Sequence, residues 1–173
     1  GRILALADSH AVDPNDPMAT PEDGRGARSV QNAYDPGSTG KVLTVLSALE
    51  EGVVTPTSPI DNPYRHTMPN GQTFTDHTEH PDQNTSTVMI GDEMSNRTRD
   101  EYMRAMGRGE RTGLGLPGGT PGILHHYSDW DGRTQYVTMF GQSVNVNLVA
   151  NTRVFATIAN QGMSLPPRIV DGY

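Results

Sequence analysis

Cysteine is absent from these 173 residues, and lysine occurs only once. Without cysteine there are no disulfides and no thiolate metal sites, and the redox compartment stays undefined. No apolar run approaches the roughly 20 residues needed to cross a bilayer. No basic stretch is present either. With a net charge of -7 and a pI near 5.2, the chain has little with which to neutralise phosphates, which argues against nucleic-acid binding. The opening lacks a signal-peptide pattern: Gly1 leads directly into the apolar run Ile3-Leu4-Ala5-Leu6-Ala7. What is plentiful is glycine and proline, 19 and 13 residues, which implies many turns and long connections. The length suits one domain with a real core.

The single lysine sits three residues after a serine, in Ser38-Thr39-Gly40-Lys41. The other twelve of the 13 basic residues are arginines. Arginine stays protonated in a protein, whereas a desolvated lysine can lose its proton and act as a base. Serine and lysine at i and i+3 share one helical face, the spacing of an activated nucleophile. A serine at a helix start also gains from the positive end of the dipole, and nearby backbone N–H groups can stabilise an oxyanion. The bland alternative is an ordinary capping serine beside a snorkelling lysine.

Residues 2–7 read as an apolar strand without a partner, which suggests a piece of something longer. Residues 8–37 read as an exposed loop closed by Pro36-Gly37. A helix is expected from Ser38, with Val42, Val45, Leu46 and Leu49 at helical spacing and Gly52 as its stop. On that reading Lys41 shares a face with Val42, Val45 and Leu49. Residues 53–81 read as loops or a small hairpin, and a helix is expected from Thr85 to Met94. Thr98-Arg99-Asp100-Glu101 matches a capping box, followed by Tyr102, Met103 and Met106, with Gly107 as the stop. Residues 107–122 read as a glycine-rich loop. The last helix is expected from Asn147 to Asn160, with Leu148, Thr152, Phe155 and Ala159 on one stripe. No internal repeat or domain boundary is visible.

Rival motifs fare poorly. Gly37-Ser38-Thr39-Gly40-Lys41 resembles a phosphate-binding loop, but Asp35 stands where that pattern needs glycine and Val42 where it needs Ser or Thr. His77-Thr78-Glu79-His80 departs from the zinc-binding H-E-x-x-H order and lies in a proline-rich loop. It and His125-His126 read as surface histidines. The sequons at Asn84 and Asn96 are chance-level patterns.

Tyr34-Asp35-Pro36-Gly37-Ser38-Thr39-Gly40-Lys41 resembles the Y-x-P-G-S-x-x-K signature of the penicillin-binding proteins, most of all the class B enzymes of division and elongation in an actinobacterial style. Five further segments match in order. Gly1 to Ala7 resembles the preceding G-x-I-L-A-M strand, and Ala48-Leu49-Glu50-Glu51-Gly52 the end of the active-site helix. Gly109-Glu110-Arg111-Thr112-Gly113-Leu114-Gly115-Leu116-Pro117-Gly118 resembles the G-x-x-T-G-I-x-L-P-G loop. Phe140-Gly141-Gln142 and Ala156-Thr157-Ile158-Ala159-Asn160-Gln161-Gly162 resemble the later G-Q and A-x-I-A-N-x-G segments.

The resemblance implies an α/β serine β-lactamase-like fold, with a central antiparallel sheet, here incomplete, and a helical subdomain. It implies a peptidoglycan D,D-transpeptidase that attacks D-alanyl-D-alanine stem peptides through an acyl-serine and is a target of β-lactams. Ser38 is then the nucleophile and Lys41 its base. The second motif, S-x-N, falls at Asp82-Gln83-Asn84, with Asn84 catalytic and Asp82 in the serine's substrate-side place. An ionised aspartate there cannot donate a proton, and beside Lys41 it would raise the lysine pKa. The literal Ser143-Val144-Asn145 comes too late in the chain for this motif. The third motif, K-T-G, is absent, so residues 1–173 read as a partial transpeptidase domain lacking that strand, inactive or weak by itself. No metal or organic cofactor is implied. The expected partners are peptidoglycan stem peptides, β-lactams, a cell-wall synthesis complex, and the membrane only through an N-terminal anchor outside this chain. The expected location is the extracytoplasmic face of the bacterial cell membrane. Two alternatives remain open: a degenerate, non-catalytic scaffold of the cell-wall machinery, and a D,D-carboxypeptidase or β-lactamase-like hydrolase.

Overall fold

The computed structural model describes residues 1–9, 12–78 and 85–170. In chain order the regular elements are α1 (Arg28–Gln31), α2 (Lys41–Glu50), the strands β1 (Arg65–Thr67) and β2 (Thr73–Thr75), α3 (Thr85–Asp92), α4 (Asn96–Ala105), α5 (Thr134–Val137) and α6 (Leu148–Ala159). Short 3₁₀ turns fill some connections; those at Gly37–Gly40 and Thr138–Phe140 matter most below. The chain falls into two units. One comprises Gly1–Tyr34, Arg104–Leu124 and Asn145–Tyr173, the other Asp35–Met103 and His125–Val144.

The second unit holds the Ser38 segment. Its hairpin pairs β1 and β2 antiparallel, Arg65 opposite Thr75 and Thr67 opposite Thr73. This is the small hairpin the sequence suggests for residues 53–81. It forms because Asn70-Gly71 closes the turn, with Gly71 at φ +85°, a conformation that glycine adopts without a Cβ penalty. The hairpin's Phe74 packs edge-on against Tyr136 at 5.7 Å and Phe140 at 5.9 Å, arrangements that aromatic quadrupoles favour. With Met68, Val88, Val137 and Met139 these rings form one core cluster. A second cluster joins Ala48, Ile90 and Met94, with Val53 and Val54 against it.

α2 packs on α3 and on the Thr138–Phe140 turn, but not through the expected face. Its buried residues are Leu43, Thr44, Ser47 and Ala48, while Leu49 is 38% exposed. The small residues win because they allow close approach. The Thr44 hydroxyl donates to Met139 O at 2.8 Å, and Ser47 satisfies its hydroxyl on Leu43 O at 2.8 Å. Across from them Gly91 leaves room for Met139, where an added Cβ would come within 2.9 Å of Met139 Cγ.

α4 also starts differently. Its N-terminal cap is Ser95, whose Oγ accepts from Thr98 N–H at 3.0 Å. Thr98-Arg99-Asp100-Glu101 is therefore helix interior rather than a capping box. Arg99 and Asp100 are buried. Arg99 donates to Gln135 O at 2.7 Å and to Thr138 Oγ1 at 3.2 Å, and lies over the Trp130 ring at 5.2 Å. Burial lowers its pKa to about 10, with Asp92 and Tyr136 opposing that shift. Gly107, at φ +82°, follows α4 as expected.

In the first unit, α1 packs against α6. The stretch expected as a loop over residues 8–37 thus contains a turn of helix that buries Ser29 and Val30. The expected strand over residues 2–7 carries one bridge, Arg2 to Arg168; Ile3 N–H donates to Arg168 O at 2.9 Å. Two more isolated bridges, Tyr34 to Val146 and Ile123 to Asn145, complete the β pairing of this unit among the described residues. α6 is capped by Asn147, whose Oδ1 accepts from Ala150 N–H at 2.8 Å. Its buried residues are Val149, Ala150, Asn151, Val154 and Thr157. The expected stripe is the outer one here: Leu148 and Phe155 are 43% and 42% exposed.

Candidate active site

The local sequence dictates how Ser38 is presented. Pro36 fixes its own φ and cannot donate a hydrogen bond. Gly37 takes φ +56°, and Thr39 Oγ1 donates back to Pro36 O at 2.7 Å. The result is a 3₁₀ turn over Gly37–Gly40 that runs straight into α2 at Lys41. Ser38 is thus in the first turn of a continuous helical segment.

Gly141 clamps that turn from the far side. Its carbonyl accepts from Gly37 N–H at 2.9 Å, and it sits at φ +79°. A Cβ on Gly141 would run into the Gly37 carbonyl, and one on Gly40 would lie 2.7 Å from Gly141 Cα. Phe140-Gly141 is therefore the backbone wall against which the serine turn rests.

Ser38 and Lys41 line the same pocket, of about 210 Å³, with Phe74, Thr75, Asp76, His77, Thr85, Val88 and Phe140. Ser38 is solvent-exposed and Lys41 half-buried. Because the buried stripe of α2 runs through Thr44 and Ala48, Lys41 stands at the edge of that stripe. Burial pulls the Lys41 ammonium below the ordinary lysine pKa, and the charge of Asp76 opposes this. The desolvation effect is the larger of the two. A lysine shifted by burial toward its neutral form, one helical turn from an accessible serine, is placed to accept that serine's proton.

Asp76 is the residue that sequence reasoning missed. It follows β2, is only 6% exposed, and its N–H donates to Tyr64 O at 3.0 Å. Its place at the end of Thr73-Phe74-Thr75, where alternation aims Phe74 into the core, is the signal that it too points inward. Asp82 and Asn84 lie outside the described residues, as do Glu79 and His80. His77 lines the pocket. His126 instead caps a short turn, accepting from Ser128 N–H at 3.3 Å. No group of three or more metal-ligating side chains converges among the described residues.

Comparison with known proteins fits this architecture. The family described as penicillin binding protein transpeptidase domain matches residues 1–173, and the chain belongs to that family. Penicillin-binding protein PbpB of Mycolicibacterium smegmatis is 28% identical over 98% of this chain and 28% of its own length. The peptidoglycan D,D-transpeptidase FtsI of Escherichia coli is 30% identical over 96% of this chain and 30% of its own. A peptidoglycan synthetase from Bifidobacterium adolescentis superposes with a TM-score of 0.86 at 35% identity, covering 97% of this chain and 32% of that one. Penicillin binding protein 3 from Mycobacterium tuberculosis, solved in complex with aztreonam, superposes at 0.82 with 29% identity over 91% of this chain and 38% of that one. The fold is therefore the α/β transpeptidase fold of penicillin-binding proteins. The chain spans about 28% of the length of PbpB. Among the described residues no helix is long and apolar enough to cross a membrane.

Proposed function

We propose that the protein is a serine-type peptidoglycan D,D-transpeptidase and a β-lactam target, with Ser38 as nucleophile and Lys41 as its base. The observation that carries this is the shared pocket of Ser38 and Lys41, with Lys41 shifted by burial toward its neutral form. Neutral Lys41 takes the Ser38 proton as Oγ attacks the carbonyl of the penultimate D-alanine. The tetrahedral intermediate collapses, the C–N bond breaks, and the proton leaves on the departing D-alanine amine. An acceptor amine from a neighbouring stem then displaces the acyl-serine. Asn84 acts at the second-motif position, with Asp82 in the place the family gives to serine. These roles rest on the sequence match.

Residues 1–173 make up part of the transpeptidase domain, with the K-T-G strand supplied elsewhere. The enzyme works on the extracytoplasmic face of the bacterial membrane, within the cell-wall synthesis machinery, because its substrate is there. The test is turnover by the full-length protein with a D-alanyl-D-alanine stem peptide and an acceptor amine. D-alanine release matched by cross-linked product, and lost in Ser38→Ala, is expected. Release without cross-linking would redirect the reading to a carboxypeptidase, and no turnover in either protein would favour a scaffold.

A further inference from the structure

The geometry points to Asp76 as a positioning residue for acyl transfer: a buried carboxylate that holds the ammonium formed when Lys41 takes the Ser38 proton. This rests on the reading of Ser38 and Lys41 as nucleophile and base.

The placement is specific. Asp76 closes β2, with its backbone tied to Tyr64 O, so its Cα is fixed by the hairpin rather than by a free loop. It is 6% exposed and opens onto the pocket of Ser38 and Lys41. The pocket lining includes the apolar Phe74, Val88 and Phe140 beside the polar Thr75, His77 and Thr85. A carboxylate in such a place is costly unless a countercharge answers it. Lys41 is the one cationic side chain among the described residues that line this pocket.

The chemistry explains why a base would keep such a neighbour. Before reaction Lys41 is to be neutral, and burial favours that state. During attack the O–H bond of Ser38 breaks, its proton bonds to Lys41 Nζ, and the electron pair released on Oγ forms the new O–C bond. The carbonyl π pair moves to oxygen. One positive charge thus appears on Nζ, in the same pocket as a carboxylate that is already in place. A fixed charge aimed at a charge that develops only in the transition state lowers the barrier without tightening ground-state binding. The buried aspartate of a Ser-His-Asp triad supports its imidazolium by the same logic. When the C–N bond of the substrate or the lactam breaks, the proton passes from Nζ to that nitrogen and the pair returns to its starting charges.

The described residues that share the pocket with Lys41 come from four places. The hairpin end supplies Asp76 and His77, α3 supplies Thr85 and Val88, the Thr138–Phe140 turn supplies Phe140, and its own turn supplies Ser38. Of the titratable ones among the described residues, Asp76 is the one whose charge acts on the Lys41 pKa.

The test is single-turnover acylation of the full-length protein by a β-lactam across pH, in wild type, Asp76→Asn and Asp76→Glu. Asp76→Asn is expected to lower the plateau rate about tenfold or more and to move the acid limb to lower pH, because the influence that raises the Lys41 pKa is gone. Asp76→Glu is expected to return the limb toward wild type. An acid limb that does not move, with only a lower melting temperature, marks Asp76 as structural and overturns the inference. If Asp76→Asn melts below assay temperature, peptide-resolved amine labelling of Lys41 against pH is read on wild type and Asp76→Asn below that melting point: removing the carboxylate must lower the labelling midpoint, and an unshifted one overturns the inference. A wild-type protein that is not acylated defeats the transpeptidase reading and this inference together. Normal wild-type acylation with unmoved limbs defeats this inference alone.

Discussion

Lys41 was readable as special from composition alone, since one lysine among thirteen basic residues stands beside one serine at i+3. Its environment was not readable. The face expected to bury it, Val42, Val45 and Leu49, is the less buried one, and its desolvation comes from standing at the edge of a stripe of small residues. The balance of burial against Asp76 sets a pH dependence with a definite sign. In the proposed role as base Lys41 must be neutral to act, and its pKa lies below the ordinary lysine value. The acylation rate should therefore rise with pH and level off below the 10.5 of free lysine, as a stopped-flow pH profile will read. The stability consequence runs in the same direction. The unfolded chain binds that proton more readily than the folded one, so Lys41 weighs against folding at low pH, and the cost fades as pH rises toward the unfolded value. Arg108, like Arg99, is a buried cation, 2% exposed. It donates to Asn151 Oδ1 at 2.7 Å, while its Nη1 is buried without a hydrogen-bond partner. Desolvation lowers its pKa to about 10. Arg108→Met should leave the melting temperature unchanged or raise it, because an uncompensated buried charge costs more than its hydrogen bond returns.

Among the elements, helix positions were legible and helix faces were not. α2, α3 and α6 fall where periodicity and glycine stops put them, because those signals are local. Which face turns inward depends on what packs opposite, and both α2 and α6 have apolar residues on more than one face. In α2 the decision goes to Thr44, whose hydroxyl reaches Met139 O, and no periodicity encodes that partner 95 positions away. The capping box failed for a related reason. Thr98 to Glu101 fits the pattern, but Ser95 makes the cap and frees Arg99 to enter the core beside Trp130. The backbone clamp on the serine turn gives a sharp prediction at this scale. Gly141→Ala must place a Cβ against the Gly37 carbonyl at φ +79°. It should cost about 1–3 kcal/mol by chemical denaturation and slow acylation, since the Ser38 turn must shift. A variant that melts and acylates like wild type would mean the clamp is idle. Asn147 bonds both Ala150 N–H and Thr120 O at 2.8 Å each while fully buried. Asn147→Ala should lose about 1–3 kcal/mol, the cap together with the carbonyl left unanswered.

At the level of the whole molecule, the sequence defined the family through six ordered segments. It could not define the sheet. The apolar run at residues 2–7 looked like a strand, yet carries a single bridge among the described residues, and Leu4 is 82% exposed. Strand pairing is a non-local property, and a run of apolar residues does not specify its partner. The placement of Ser38 and Lys41 is better determined because it is local: a turn, a helix start and a pocket wall bring them to one cavity. The account stands on Lys41 accepting the proton of Ser38, so the decisive measurement compares wild type and Lys41→Arg in the full-length protein by peptide mass mapping after brief exposure to a β-lactam. One acyl adduct on the peptide that contains Ser38, formed at least about 10²-fold more slowly in Lys41→Arg, is the predicted result. An adduct on any other residue, or a Lys41→Arg protein acylated at the wild-type rate, would contradict it.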